Sequence, residues 1–392
     1  MKVVSIIMTY NEKENIGPML DAWLKITQEN PKYKFEVLVV DGNSPDGTGE
    51  IVKRYSKTHK NIHLLQGPRL GYGKELANGF RFAMKKLRAD VIIPIDVDFQ
   101  WDPFMTPQLL AKIDEGYDVV VPSRALPGSS DNFSGFRKLT HWISDTLIAY
   151  WWAGIKEVKD HAGSFKAIRV KGHFDQVDLD KLNVVGFVIQ MKTIYELSKT
   201  RAKFIEVPAH YGDRRAGTPT TVGMKSIKWF LKYVWGYLKV ATQIRFERSP
   251  GLLKFIKFGI VGGFGFLINF FGLIFFNRLF IKIFSWPIGI INFWANALAS
   301  ELAIISNFIW NNLWTFAKEK ITSPKEILKK FLAFNLSSIF GGIIVPSLIV
   351  GAGTQVFGDQ YRQLLLIVAI FCFTIPYNWF VYNKFIWKKK GT

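Results

Sequence analysis

The stretch DVIIPIDVDFQWDP, residues 90–103, decides the fold of the first half of this chain. Its apolar, β-branched residues 91–95 predict a buried strand. The strand ends in Asp96 and Asp98, which the alternation of an extended chain places on one side, and Pro103 predicts the end of regular structure. Two carboxylates at the carboxyl end of a central strand suit a hard divalent cation shared with a diphosphate, with an acidic turn as the simpler alternative.

Length and charge narrow the class of protein. The chain has 392 residues, enough for two domains, and 51 basic against 31 acidic residues give a formal charge of +20. Because 49% of the residues are hydrophobic, the charge indicates a nucleic-acid or anionic-membrane partner rather than a disordered tail. A single cysteine, Cys372, excludes an intrachain disulfide and a cysteine zinc site. The apolar run at residues 3–8 is too short for a signal peptide, so none is expected.

The order of elements before residue 220 predicts an α/β fold with a doubly wound, mostly parallel sheet. Buried strands are expected at residues 3–8, 35–40, 62–65, 91–95 and 118–121, and helices at residues 15–28, 48–57 and 71–87. The loops at residues 9–12, 41–46 and 96–100 then meet at the carboxyl edge of the sheet, where such folds bind ligands. Gly71 and Gly73 lack the third glycine of a dinucleotide site and are interpreted as a turn.

An ordered set of motifs in this half is similar to glycosyltransferase family 2, and within it to the dolichyl-phosphate mannose synthases. The segment Asp160-His161-Ala162-Gly163-Ser164-Phe165-Lys166 resembles their Asp-x-x-Ser-Gly-Phe-Arg motif. The other matching segments, over about residues 1–220, are Thr9-Tyr10-Asn11-Glu12, Val39-Val40-Asp41, Asp96-x-Asp98-x-Gln100, Ser123-Arg124, Gly186-Phe187, Val207-Pro208 and Arg214-x-x-Gly217.

The resemblance implies a GT-A fold, a nucleoside-diphosphate sugar donor and a Mg²⁺ or Mn²⁺ cofactor. It implies that Asp96, Asp98 and Gln100 hold the cation and the sugar diphosphate. The resemblance implies catalytic roles for Asp98 and for three arginines that face phosphates: Arg124, Arg137 and Arg214. A solvated basic face is the alternative for the arginines. The implied donor-binding residues are Met8, Tyr10, Glu12, Val39, Asp41, Asp96, Val97, Asp98, Gln100, Arg124 and Arg214.

Four positions depart from the family pattern. Met8 replaces a proline, His141 a serine, Lys192 a glutamate and Thr220 a lysine. The last two change charge near the expected phosphate or sugar pocket. These two changes leave the identity of the transferred sugar open and bear less on the class of reaction.

The expected reaction transfers a hexose, with mannose from GDP-mannose as the first choice, to dolichyl or polyprenyl phosphate. A phosphate monoester has a second pKa of about 6 and is already an anionic nucleophile, so no protein base is required. A single displacement with inversion is therefore expected, with charge offset by the cation and the arginines. A UDP-glucose or UDP-N-acetylglucosamine donor remains open, as does a lipid-linked sugar flippase or scaffold. A processive polysaccharide synthase is disfavoured because its Gln-x-x-Arg-Trp motif is missing.

The second half of the chain predicts an integral membrane domain. Residues 223–250 predict a basic amphipathic helix in the headgroup layer between a catalytic domain, residues 1–222, and a membrane domain, residues 251–392. Spans are expected at residues 255–280, 287–311, 331–350 and 364–382. Seventeen basic residues flank one side of these spans and three the other, which predicts a cell-membrane protein with the catalytic domain and both termini in the cytoplasm. This favours anionic lipid over nucleic acid as the partner and leaves the oligomeric state open.

The membrane half also repeats itself as two helical hairpins. Residues 254–258 resemble residues 330–334, and residues 307–314 resemble residues 378–385. These blocks look like the GtrA-like membrane domain. Within the second span, Glu301, with Asn296 and Asn307 nearby in sequence, is interpreted either as a functional site or as a structural hydrogen-bond partner inside the helical bundle.

Overall fold

The computed structural model describes residues 1–133, 135–184, 186–217 and 227–388. The chain divides into two compact units, an N-terminal unit, Met1–Arg248, and a C-terminal unit, Ser249–Thr392. The predicted division into catalytic, interfacial and membrane domains at residues 222 and 250 stays a prediction.

The strands of the N-terminal unit build one large sheet, and the prediction of a mostly parallel α/β fold is confirmed. In the described residues this sheet has seven strands in the order β3-β2-β1-β4-β7-β5-β8, and only β7 runs antiparallel to its neighbours. A short second sheet pairs β6 with β9. The strands are β1 (Lys2–Thr9), β2 (Lys34–Asp41), β3 (Ile62–Gln66), β4 (Val91–Asp96), β5 (Val119–Ser123), β6 (Ser130–Asp131), β7 (Ala167–Arg169), β8 (Phe204–Pro208) and β9 (His210–Tyr211).

The helices of this unit follow the strands along the chain. They are α1 (Lys13–Glu29), α2 (Thr48–Thr58), α3 (Tyr72–Lys85), α4 (Thr106–Asp114), α5 (Gly135–Trp142), a π-helix (Ile143–Trp152), α6 (Val188–Ser198) and α7 (Ile227–Arg248). The prediction that regular structure ends at Pro103 is wrong. Proline fits the first turn of a helix, and a 3₁₀ turn, Pro103–Met105, begins there and leads into α4. The Asp102 side chain caps this turn by accepting a hydrogen bond from the Phe104 amide at 2.9 Å.

Helices cover both faces of the sheet, which explains why its central strands, β1 and β4, are apolar at most positions. In β1, Ile6 packs in the same buried cluster as Phe80 of α3, and Ile7 packs in a second cluster with Ile16 of α1. Successive side chains of a strand point to opposite faces of the sheet. When helices cover both faces, both sets of side chains are buried, so the strands do not alternate between apolar and polar residues.

The strand register brings the polar loops together. Met8 pairs with Asp96 on β4, and Thr9 pairs with Asp41 on β2. Because these strands are parallel, their carboxyl ends lie at one edge. The loops after β1, β2 and β4 therefore meet there, as predicted.

All of α7 lies within the predicted amphipathic helix, residues 223–250, of which residues 223–226 lie outside the described residues. On its second half, Val240, Ala241 and Ile244 are buried in the core of the N-terminal unit. Trp235, in contrast, is 70% exposed. The helix is thus two-sided, with one apolar face used for packing on the N-terminal unit.

The C-terminal unit contains four helical segments that are long and apolar enough to cross a membrane: Pro250–Ile283, Ile288–Thr315, Pro324–Phe357 and Leu364–Ile386. They correspond to the four predicted spans. Their helices are α8 (Pro250–Ile283), α9 (Ile288–Trp310), α10 (Pro324–Ile339), α11 (Val345–Phe357), α12 (Arg362–Val368) and α13 (Ile375–Val381), with π-helical turns at Asn311–Thr315, Phe340–Ile344, Ala369–Thr374 and Tyr382–Ile386.

A glycine–asparagine contact recurs in both sequence repeats. Gly265 and Gly341, each eleven residues after Lys254 or Lys330, lie so close to a neighbouring helix that an added Cβ would overlap it. The facing atoms belong to Asn307 in the first repeat and to Tyr377 and Asn378 in the second. Small residues at such positions let helices in a membrane approach closely.

Glu301 has a hydrogen-bond partner on another helix of the C-terminal unit. The side-chain amide of Asn335 on α10 donates to both carboxylate oxygens, at 2.8 and 2.9 Å. This contact joins residues 34 positions apart and agrees with the interpretation of Glu301 as a structural hydrogen-bond partner inside the helical bundle.

Candidate active site

The carboxyl ends of β1 and β4 open into a cavity of about 1060 Å³ in the N-terminal unit. One part of its wall comes from the strand-end loops that carry Tyr10 and Asp98. Another part comes from α5, the π-helix and α7, and includes apolar Ile143, Ile148 and Val234. Polar residues of the strand-end loops and an apolar flank of helix residues therefore line the same cavity.

Asp96 lies in the floor of this cavity with both carboxylate oxygens engaged. Oδ1 accepts a hydrogen bond from the Tyr72 hydroxyl at 3.1 Å, and Oδ2 accepts one from the Ser164 hydroxyl at 2.7 Å. Burial, followed by the nearby charge of Asp98, raises the pKa of Asp96 to about 6. The repulsion between the charges of Asp96 and Asp98 makes this carboxylate pair a donor set that a divalent cation stabilises.

Asp98 links the β4 end to a later loop. Its Oδ1 accepts from the Gln100 amide at 3.2 Å, and its Oδ2 accepts from Arg214 Nη1 at 3.1 Å. Arg214 also donates to Glu12 Oε2 at 2.5 Å. One guanidinium therefore bridges two carboxylates that belong to different strand-end loops, and it balances part of their charge.

The carboxylates fit a cation whose other ligands come from outside the protein. Within the described ranges, no three His, Cys, Asp or Glu side chains gather as a metal site. Phosphate oxygens and water would therefore complete the coordination of a cation on Asp96 and Asp98. The Gln100 amide oxygen accepts from the Tyr211 hydroxyl at 2.9 Å, and its Nε2 donates to the Gly212 carbonyl at 3.3 Å. Its expected metal role stays a prediction.

Arg124 is held by a buried ion pair. Its backbone amide and Nε donate to Asp160 Oδ2 at 3.0 and 2.7 Å, and its Nη2 donates to Oδ1 at 2.6 Å. Burial alone would raise the pKa of Asp160, but the charge and hydrogen bonds of Arg124 hold it below its ordinary value. Arg124 is thus a fixed, largely neutralised part of the cavity wall.

Arg137 and His141 form a second basic area beside Arg124. The Arg137 guanidinium lies 4.2 Å from the centre of the Phe133 ring, and the His141 ring stacks on Phe133 at 4.5 Å. In the part of the chain that the structure describes, Arg137 pairs with no carboxylate, whereas Arg124 and Arg214 do. Arg137 is therefore the arginine of this set best placed to bind a phosphate.

Tyr10 and Arg69 form a polar end of the cavity lining. The Arg69 guanidinium lies 3.6 Å from the centre of the Tyr10 ring. Nearby, Glu75 accepts from the amides of Leu70 and Gly71 at 2.7 and 2.8 Å and so fixes the turn before α3. This planar, polar end is suited to a nucleobase.

Asp41 organises the loop after β2 instead of lining the cavity. It is 1% exposed and accepts hydrogen bonds from Thr9, Ser44 and Gln66. Val39 is a fully buried core residue of β2. The other predicted site residues all line the one cavity: Met8, Tyr10, Glu12, Asp96, Val97, Asp98, Gln100, Arg124, Arg137 and Arg214. Their individual roles stay predictions.

Lys192 does not lie where it was expected. It is a buried residue of α6 that pairs with Glu196 at 2.9 Å and lies 4.0 Å from Glu247 of α7. Its charge therefore serves the contact between two helices and not a phosphate or sugar pocket. Thr220, the other charge-changing position, lies outside the described residues.

Sequence reasoning missed the residues that support Asp96 from behind. Lys166 is fully buried, and its ammonium donates to the Gly163 carbonyl at 2.6 Å and to Gln190 Oε1 at 2.5 Å. Burial lowers the pKa of Lys166 to about 7. Ser164 and Lys166 belong to a motif that the sequence had already singled out, but a motif does not reveal what its side chains touch.

Known families match both halves of the chain. Residues 5–173 match the family described as Glycosyl transferase family 2, and residues 257–387 match the family described as GtrA/DPMS, transmembrane domain. The chain therefore carries a glycosyltransferase family 2 domain, followed by a GtrA/DPMS transmembrane domain. Together with the four apolar helices, the second match makes it an integral membrane protein.

Proteins of known name are similar to all or part of this chain. A dolichol-phosphate mannosyltransferase of Pyrococcus furiosus is 29% identical over 345 residues, which cover 88% of this chain and 88% of the relative. An undecaprenyl-phosphate mannosyltransferase of Micrococcus luteus is 28% identical over 219 residues, or 55% of this chain and 86% of the relative. Mannosyl-3-phosphoglycerate synthase from Rubrobacter xylanophilus aligns in structure with a TM-score of 0.46 and 13% identity, covering 64% of this chain and 75% of that one.

Proposed function

We propose that this chain transfers a mannosyl residue from GDP-mannose to dolichyl or another polyprenyl phosphate, with the help of a divalent cation and with inversion at the anomeric carbon. The observation that carries the proposal is the single cavity that joins the Asp96–Asp98 pair to an apolar flank on α5, the π-helix and α7. A sugar diphosphate requires the carboxylate pair, through the cation that the pair holds. A lipid phosphate requires the apolar flank for its chain and also the sugar diphosphate bound at the carboxylate pair. The printed names of the two relatives support the sugar and the lipid acceptor.

The donor occupies the polar end of the cavity in this proposal. Tyr10 and Arg69 contact the nucleobase, and Arg214 and Glu12 lie near the phosphates. When bound, a Mg²⁺ or Mn²⁺ ion on Asp96 and Asp98 offsets the charge that develops on the leaving diphosphate. Asp41 acts through the loop that it organises.

The acceptor phosphate supplies the nucleophile. One of its anionic oxygens forms the bond to the anomeric carbon while the bond from that carbon to the β-phosphate oxygen breaks, and the electron pair leaves with the nucleoside diphosphate. Arg137 and His141, both on the Phe133 ring, align the attacking phosphate. Arginine suits this task because its planar group binds phosphate through two hydrogen bonds.

Apolar side chains on the outside of the same wall support delivery of the lipid from a bilayer. Trp142, Trp151 and Trp235 are 52, 64 and 70% exposed. Tryptophan is favoured at the headgroup level of membranes, and the basic residues beside α7 favour anionic lipid. The excess of basic residues on one side of the spans supports a cytoplasmic catalytic unit and cytoplasmic termini.

The donor and the cation are tested with the full-length protein in detergent. Labelled GDP-mannose, UDP-glucose and UDP-N-acetylglucosamine are each supplied with dolichyl phosphate, in Mn²⁺ or in EDTA. We expect a chloroform-soluble product from GDP-mannose in Mn²⁺ alone. A product from a UDP-sugar would overturn the donor, undiminished transfer in EDTA would overturn the cation, and no lipid product from any donor would overturn the function.

The stereochemistry is tested on the same product. GDP-mannose carries an α-linked sugar, so inversion gives β-mannosyl phosphate. The one-bond carbon–hydrogen coupling at the anomeric position distinguishes the two forms by NMR. An α-linked product would contradict a single displacement.

A further inference from the structure

Lys166 is a buried lysine without a carboxylate partner in the described chain. Its side chain is fully inside the N-terminal unit, and its ammonium is bonded to two neutral oxygens, the Gly163 carbonyl and Gln190 Oε1. Burying an ammonium costs several kcal/mol unless a counter-charge or a full set of hydrogen bonds offsets the loss of water. Lys192, the other buried lysine in the described residues, has a carboxylate partner, Glu196. The exception at Lys166 calls for a role.

The first of its two contacts leads to one oxygen of Asp96. Gln190, which accepts from Lys166, uses its Nε2 to donate to the Tyr72 hydroxyl at 3.1 Å. That hydroxyl donates in turn to Asp96 Oδ1 at 3.1 Å. The Tyr72 ring is held from the side by Phe187, at 4.5 Å between ring centres. A continuous chain of hydrogen bonds thus runs from the ammonium to the carboxylate.

The second contact leads to the other oxygen. Lys166 holds the Gly163 carbonyl at 2.6 Å, and the next residue, Ser164, donates its hydroxyl to Asp96 Oδ2 at 2.7 Å. The same peptide segment is fixed from the other side, because the Gly163 amide donates to Asp160 at 3.2 Å. One ammonium therefore anchors two arms that end on the two oxygens of a single carboxylate.

We propose that Lys166 is a positioning residue for Asp96. It fixes the rotation of the carboxylate through the Gln190–Tyr72 arm and the Gly163–Ser164 arm, and so presents the remaining lone pairs of both oxygens to a divalent cation that also binds a nucleoside diphosphate. The inference rests on the cation of the proposed function. The inference adds the residues that orient Asp96 for binding this cation. Groups behind metal ligands typically change metal affinity by about 10–100-fold when they are lost.

Binding of Mn²⁺ to the full-length protein with GDP tests this directly, because the electron paramagnetic resonance signal of free Mn²⁺ disappears on binding. The variant Lys166→Met keeps the length of the side chain and removes its charge and hydrogen bonds. We expect its Kd for Mn²⁺ to rise about 10–100-fold. Lys166→Arg keeps a cation that can donate to both oxygens, so its Kd should lie nearer to that of wild type than the Kd of Lys166→Met does.

Lys192→Met is the matched control, since it removes an equally buried lysine that touches no residue of the two arms. It should lower the thermal midpoint and leave the Kd for Mn²⁺ unchanged. Lys166→Met with wild-type affinity would overturn the positioning role, and so would an equal loss of affinity in Lys192→Met. A wild-type protein that binds no Mn²⁺ with GDP would overturn the cation of the proposed function as well.

A second variant covers the case in which Lys166→Met does not fold. Ser164→Ala cuts one arm at its last hydrogen bond and leaves the ammonium with both acceptors. We expect the Kd for Mn²⁺ to rise by about tenfold with little change in the thermal midpoint. An unchanged Kd in a folded Ser164→Ala protein would contradict the proposal.

Discussion

The buried pair of Arg124 and Asp160 allows a quantitative prediction for the variant Asp160→Asn. Only 9% of the arginine side chain and 2% of the aspartate side chain are exposed, and three hydrogen bonds join them. An asparagine retains the size of the side chain and leaves the guanidinium without its counter-charge. Breaking a buried pair from one side costs about 3–5 kcal/mol.

For a unit of this size, 1 kcal/mol lowers the thermal midpoint by about 2–4 °C, so we expect a decrease of about 6–20 °C. Thermal unfolding of the full-length protein in detergent, followed by intrinsic fluorescence, measures it. Asp180→Asn is the matched control. Asp180 pairs with Arg81 at the surface, where the aspartate side chain is 82% exposed, and such a pair is worth about 0–1 kcal/mol.

The double variant Arg124→Met, Asp160→Leu removes both charges and should recover part of the loss. The low pKa of Asp160 sets the sign of the acid response: its contribution is present above the ordinary value of 3.8 and is lost as the pH falls below it. A midpoint of Asp160→Asn within about 2 °C of Asp180→Asn would refute the assignment of Arg124 and Asp160 as a costly buried pair.

Three further predictions concern glycines and the pH. Gly73→Ala should lower the unfolding free energy by about 1–3 kcal/mol in a denaturant titration, because its Cβ would overlap the Val184 carbonyl; an unchanged midpoint would contradict the close approach. Gly341→Ala should lower the thermal midpoint of the C-terminal unit, because the new methyl would overlap an aromatic ring, whereas Gly342→Ala, which faces open space, should not; equal effects would count against the helix contact. Burial lowers the pKa of Lys166 to about 7, so between pH 7 and 10.5 the folded side chain becomes a neutral amine, which can still donate both hydrogen bonds, while the unfolded chain keeps the proton. The unfolding free energy should therefore rise with pH, and Lys166→Met should flatten this rise in denaturant titrations at several pH values.

The sheet and the edge that carries the site follow from local patterns. Continuous apolar runs that end in polar loops predicted β1, β2 and β4, and a parallel sheet must bring their carboxyl ends together. The apolar lengths after residue 250 likewise predicted the four spans, since a bilayer requires about 20 apolar residues per helix. Each of these features depends on residues that are neighbours in sequence.

Features that depend on distant residues were not predicted. The arm from Tyr72 through Gln190 joins residues 118 positions apart, and no pattern in either segment marks the other. The antiparallel strand β7 has three residues, too few for a period to show. Lys192 was misplaced because a family position does not reveal which way a helix turns its side chain, and Glu196 on the same helix was its partner.

The most direct test of mannosyl transfer to a lipid phosphate pairs two aspartates that lie four residues apart. Full-length wild type, Asp98→Asn and Asp102→Asn are incubated with labelled GDP-mannose, dolichyl phosphate and Mn²⁺, and the label in the chloroform phase is counted. Asp102 caps a helical turn, which asparagine does equally well, so this variant should match wild type. Asp98→Asn should lose more than about a hundredfold in rate, because it removes a carboxylate from the proposed cation site. Equal transfer by all three proteins, or no labelled lipid from wild type, would contradict the account.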